Sequence, residues 1–203
     1  MTHPVDLRIV ELLAARLCHD LVGPVAAIGN GIELMADEEP DFVREAVALV
    51  GDSAVRANAR LQFYRFAYGF RGTGLAGAPP HRLVADYFAG SNVTCDYGPA
   101  AQVLDLYEQK LACVMLTVGG EGLARGGRLV VIPGAAGPVI DATGEGVGPS
   151  AEIRDALVLA VSPADLTSRT VGGYFAGLLA DRLGSRITII DRPGGFRLNT
   201  VRL

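Results

Sequence analysis

The sequence predicts an α+β fold: a long helical hairpin followed by a small α/β sandwich. Three observations point to this. Residues 5–36 and 41–67 each read as one long helix, joined by a short acidic turn. A breaker-rich stretch, Gly69–Pro80, then interrupts the chain. Beyond it, short β-branched runs alternate with helical ones, as a layered α/β unit requires. The expected division is a hairpin domain over residues 1–70 and a sandwich domain over residues 78–203.

Each element has a local reason. In the turn Ala36–Asp41, Pro40 suits a first helical turn and the acids suit its positive end. After the breakers, 81–89 reads as a short helix, 92–97 as a strand, 102–124 as a helix and 127–132 as a β-branched strand. Residues 139–142 suggest a short strand, 151–159 a short helix and 170–183 a longer one. The segments 186–190 and 196–202 flank Pro193-Gly-Gly195 and predict a terminal β-hairpin.

Composition narrows the function. Of 203 residues, 50% are apolar and the mean hydropathy is +0.32, which suits a chain that forms a core. A net charge of -4 and a pI near 5.4 give nucleic acid no basic surface. Cys18, Cys95 and Cys113 have neither disulfide nor zinc spacing, which suits a reducing cytoplasm. The N-terminus lacks a signal-peptide pattern, and the apolar run Leu111–Val118 falls far short of the ~20 residues that span a bilayer. The expectation is a cytoplasmic protein with no membrane partner.

Helix 1 carries the chemistry. Leu13, Leu17, Leu21, Val25, Ile28, Ile32 and Met35 form an apolar stripe roughly 120° wide. His19 falls almost opposite its centre, among Ala15, Arg16, Gly23, Ala26 and Asn30. Pro24 sits five residues further on. An internal proline removes one hydrogen bond and crowds the carbonyl four residues earlier, at a cost of about 3 kcal/mol. That carbonyl belongs to Asp20, so the bend is built beside the histidine. A two-helix hairpin cannot bury both of its apolar stripes, and pairing two copies into a four-helix bundle would do so. With the turn near residues 38–40, His19 lies beside residues 57–60, close to Arg56, Asn58 and Arg60.

His19-Asp-Leu-Val-Gly-Pro24 resembles the phosphoacceptor box of histidine kinase dimerisation domains. Phe175–Ile190 followed by Pro193–Leu198 is similar to the last helix and hairpin of the kinase ATP-binding domain. Together with Ala59–Gly69 and the overall length, these stretches resemble the ChpT-type histidine phosphotransferases over nearly the whole chain. Three kinase elements depart from the ATP-binding pattern. Lys110–Leu123 has no magnesium-binding Asn, the Asp-x-Gly-x-Gly loop is out of register in Asp141-Ala-Thr-Gly-Glu-Gly146, and the glycine-rich lid is reduced to Gly172-Gly173.

The resemblance implies a homodimeric phosphorelay shuttle with a degenerate kinase-like second domain and no ATP-dependent autokinase activity. His19 would take a phosphoryl group from one receiver-domain aspartate and pass it to another. Asp20 would orient the ring, and Arg56 or Arg60 would offset phosphoryl charge. Receiver domains of a hybrid histidine kinase and of response regulators would dock over Ala15, Arg16, Val22, Gly23 and Ala26. No cofactor is expected on this chain, and Mg²⁺ would come with the receiver. The competing readings are an ATP-dependent histidine kinase core and a non-catalytic adaptor that binds response regulators.

Overall fold

The structure, a computed structural model, describes residues 6–36, 39–69, 77–145 and 148–203. Two long antiparallel helices come first, α1 (Leu7–Leu34) and α2 (Pro40–Ala67). Asp6 starts α1 by accepting a hydrogen bond from the Arg8 amide at 2.9 Å. Pro40 and Asp41 occupy the first turn of α2, as expected. The two helices pack tightly at Gly31, where an added Cβ would lie 2.6 Å from Val50 Cγ2 and 3.3 Å from the Ala46 carbonyl oxygen.

The rest of the chain is helices on a mixed sheet. After α3 (Pro80–Phe88) come β1 (Val93–Asp96), α4 (Leu106–Glu121), β2 (Gly127–Gly134), β3 (Gly137–Gly144), α5 (Ala151–Leu157), α6 (Val171–Arg182), β4 (Ser185–Arg192) and β5 (Gly195–Arg202). The strand order is β1-β2-β3-β5-β4, with β1 parallel to β2 and the other pairs antiparallel. Gly194 (φ 72°) turns the predicted terminal hairpin.

Most predicted elements shift by a residue or a few at their ends, and two differ for a clear physical reason. The helix expected over 102–124 starts later, because Pro99–Val103 forms a 3₁₀ turn and Asp105 with Glu108 forms a capping box that fixes the start of α4. The weak strand 139–142 is an eight-residue interior strand, β3. Cross-strand pairing with β2 and β5 overrides the poor propensity of Gly137, Pro138 and Gly144.

The main core gathers Leu111–Leu116 of α4, Leu129 and Ile140 of the inner strands, and Ile187, Phe196 and Leu198 of the terminal hairpin. Phe63, Tyr64 and Ala67, near the end of α2, belong to the same core. Lys110 donates to the Gly69 carbonyl at the end of that helix. Residues 70–76 of the expected interdomain stretch lie outside the described residues, as does Gly146 of the altered kinase loop.

A second cluster packs Ile9, with Leu12 and Leu13, against Ala156, Leu166, Val171 and Tyr174. The N-terminal half of the α1 stripe is therefore covered by the sheet-bearing half of the molecule. By length and composition alone, α1 is long and apolar enough to cross a membrane. It carries Pro24 internally, and it packs along α2 and against α6.

Asp141 stands directly opposite Arg197 on β5 and accepts two hydrogen bonds from its guanidinium. Arg192 adds a third contact at 3.3 Å. The hydrogen-bonded Arg197 guanidinium holds the Asp141 carboxyl below the ordinary carboxylate range. The folded state therefore favours the ionised form. This stabilisation is complete above the unfolded carboxyl value of ~3.9 and is lost as pH falls through the lower folded value. Asp141→Asn is expected to lower stability by about 1 kcal/mol at neutral pH. Urea midpoints of the two proteins should then converge on acidification, and a gap that persisted into strong acid would contradict this account.

Candidate functional site

The site is built on the middle of α1. Because His19 lies opposite the apolar stripe, its side chain is 88% exposed. Ala15, Val22, Gly23 and Ala26 are exposed around it. A Cβ added at Gly23 would meet nothing within 4 Å, so this surface is slim. His19 Nδ1 lies 3.5 Å from Asp20 Oδ1, just beyond good hydrogen-bond length.

Asp20 is held from two sides by α2. Pro24 has no N–H to give the Asp20 carbonyl, and the Arg60 guanidinium donates to that oxygen instead. The Tyr64 hydroxyl donates to Asp20 Oδ2 at 2.6 Å. The sequence assigns Arg60 to phosphoryl charge, whereas its guanidinium closes the gap left by Pro24 in the helix. Arg56 is exposed and donates to the Ser53 hydroxyl at 3.2 Å, while Asn58 accepts from Gln62 at 3.4 Å. The structure brings Asp20 and Arg60 to the histidine's base. It shows no bond from Arg56 toward the ring.

Arg16 differs from its expected place on an open docking face. Its side chain is only 12% exposed and pairs with Glu121 at the end of α4. It also donates to the Ser168 and Arg169 carbonyls at 3.4 and 3.3 Å. Its guanidinium lies over Gly172, where a Cβ would come within 3.1 Å of Nη1. The glycine pair expected as the remnant of a lid is thus inside α6, with Gly172 making room for Arg16 and Gly173 packed on the Ile153 carbonyl. About a turn before His19, Arg16 ties α1 to the sheet-bearing half of the molecule.

That tie leaves an open cleft of about 750 Å³, lined by His19 and Asp20 on one wall and by Glu121, Ser150, Ile153 and Arg169 on the others. Tyr64, Glu121 and Arg169 escape a sequence reading. The hairpin register is the one available signal for Tyr64. An estimate that places residues 57–60 beside His19 stops one turn short of it.

The other reactive groups are quiet. Burial pushes the Cys95 thiol up to about 12 and raises that of the fully buried Cys113, so neither is a ready thiolate. Among the described residues no cluster of three or more His, Cys, Asp or Glu side chains offers a metal site.

The chain is similar to known proteins. Residues 79–193 match the family model described as the histidine phosphotransferase C-terminal domain. The chain is 32% identical over 199 residues to the protein phosphotransferase ChpT of Brucella abortus (strain 2308), covering 93% of this chain and 94% of that protein. A solved structure described as a bacterial phosphotransferase superposes with a TM-score of 0.79 at 28% identity, over 99% of this chain and 98% of the other.

The contact between Arg60 and Asp20 is testable by a double-mutant cycle. Arg60→Met should cost about 1 kcal/mol, because it strips the Asp20 carbonyl of its protein donor. In a Pro24→Ala background the restored amide can take over, so the same change should cost markedly less. Urea unfolding at fixed protein concentration measures both. Equal costs in the two backgrounds would show that the guanidinium does not replace the missing helical hydrogen bond.

Proposed function

Because the chain belongs to the histidine phosphotransferase family, we propose that the phosphoryl group it relays is carried on His19. The chain is a phosphorelay histidine phosphotransferase. The observation behind the choice of residue is the setting of the ring, 88% exposed at the wall of the cleft on a helix of small neighbours.

The imidazole nitrogen attacks the phosphorus of a receiver's aspartyl phosphate. An N–P bond forms, the acyl-phosphate P–O bond breaks, and the aspartate leaves as a carboxylate. The reverse reaction loads a second receiver. Such transfer depends on alignment and charge placement, with reacting atoms about 3–3.5 Å apart. The partners are receiver domains, of a hybrid histidine kinase on one side and of response regulators on the other, and each brings its own Mg²⁺. They approach over Ala15, Val22, Gly23 and Ala26.

The protein works as a homodimer in the cytoplasm. Val25, Ile32 and Leu34 of α1 and Phe42, Val47, Val55 and Leu61 of α2 are large apolar side chains left about half exposed or more. That supports burial against a second hairpin. ATP is not the donor. Support comes from Asp141, which is engaged by Arg197, and from the lack of any Asn in Lys110–Leu123.

Two variants test the reading. His19→Ala should abolish acid-labile labelling by a phosphorylated receiver while leaving the fold and the dimer intact, because the side chain lies off the apolar face. Full labelling of this variant would refute the assignment. Ala26→Arg keeps helix propensity almost unchanged and should slow transfer by obstructing the receiver. Equal transfer rates for this variant and wild type would show that receivers approach elsewhere.

A further inference from the structure

We propose that Tyr64 is a positioning residue for phosphotransfer. Its hydroxyl fixes the Asp20 carboxylate behind the His19 ring, so that Nδ1 is engaged and Nε2 points outward to the receiver. This inference rests on the assignment of His19 as the phosphoacceptor.

The geometry carries it. Asp20 has two carboxylate oxygens, and the structure gives them different neighbours: Oδ2 accepts from Tyr64 at 2.6 Å, and Oδ1 faces His19 Nδ1 at 3.5 Å. An O–H donor at that length to a carboxylate is a strong, orienting contact. A carboxylate alone on a helix surface would exchange rotamers and water partners. With its main-chain oxygen held by Arg60 and Oδ2 held by Tyr64, the side chain has one oxygen left to offer. Only a small approach is needed to bring Oδ1 within hydrogen-bond reach of the ring, and contacts of this kind tighten as the reacting complex forms.

The tyrosine is itself rigid. It is 6% exposed, and its ring meets those of Tyr68 and Tyr87 edge-on at centroid distances of 5.9 and 5.8 Å. Tyr87 stacks on Phe63 and Tyr68 stacks on Phe175 of α6, so aromatic contacts from three helices fix the hydroxyl. Burial raises the Tyr64 phenol far above its ordinary value, with Tyr87 and Asp20 adding to the effect, so it stays a donor wherever the protein works. The Tyr87 hydroxyl lies 3.4 Å away as a second polar neighbour. When Nε2 takes the phosphoryl group, positive charge develops on the ring, and a carboxylate held against Nδ1–H stabilises it.

A purely structural role, seating α2 on the core, belongs to the ring. Tyr64→Phe keeps that ring and removes only the hydroxyl. In the full chain, the initial rate of phosphoryl uptake from a phosphorylated receiver should fall about tenfold. The tautomer of neutral His19 is the second readout, obtained from ¹⁵N shifts of the unphosphorylated protein. Wild type should be enriched in the Nδ1–H form, and Tyr64→Phe should lose that enrichment. Asp20→Asn alone should lose it too, which keeps the idea testable if Tyr64→Phe folds poorly. In the Asp20→Asn background, adding Tyr64→Phe should change the rate little.

An unchanged tautomer in Tyr64→Phe, with or without a rate loss, would overturn the proposal. So would an equal fold loss in the wild-type and Asp20→Asn backgrounds. If His19→Ala still accepts phosphate, the underlying assignment falls. If His19→Ala is inert while Tyr64→Phe matches wild type, only the positioning role falls.

Discussion

Pro24 deprives the Asp20 carbonyl of its helical donor, and a guanidinium from α2 supplies one. That exchange makes one point of α1 depend on α2. A regular helix would satisfy this carbonyl internally and would owe its register to side-chain packing alone. Here the opening beside His19 locks the register of the hairpin, and the side chain of the same Asp20 adds a second link through Tyr64. Tyr64 in turn belongs to the core shared with α4 and the sheet. The residue next to the exposed ring is thus tied by one hydrogen bond to the core of the molecule.

The apolar stripe of α1 is divided between two roles. Its N-terminal half packs on Leu166, Val171 and Tyr174, while Val25 and Ile32 further along remain more than half exposed. The first half, with Arg16 on Glu121, sets the angle between hairpin and sheet and opens the cleft in front of His19. The second half is the face that the proposed dimer would bury. The histidine sits near the junction, where one wall of the cleft is helix and the other is the end of α4 with the segment before α5. A receiver reaching His19 would meet both walls at once.

The sequence made legible what depends on local pattern. Helical periodicity locates both long helices, the apolar stripe places His19 on the open side, and the internal proline singles out the Asp20 carbonyl. Long-range pairing could not be read this way. The donor to that carbonyl is 40 residues away, so the register brings Arg60 near His19 without naming its partner, and it stops one turn short of Tyr64. Arg16 looked like surface because nothing local reports Glu121, more than a hundred residues on. β3 looked short because its glycines and proline weaken it locally, whereas two flanking strands stabilise it.

The central claim is that Asp20, anchored by α2, stands at Nδ1 of His19 and leaves Nε2 to react. The most direct measurement is the ¹⁵N and ³¹P NMR spectrum of the chain after labelling by a phosphorylated receiver, which reports the ring nitrogen bonded to phosphorus. The account predicts phosphohistidine at Nε2 of His19. Phosphorus on Nδ1 would contradict it.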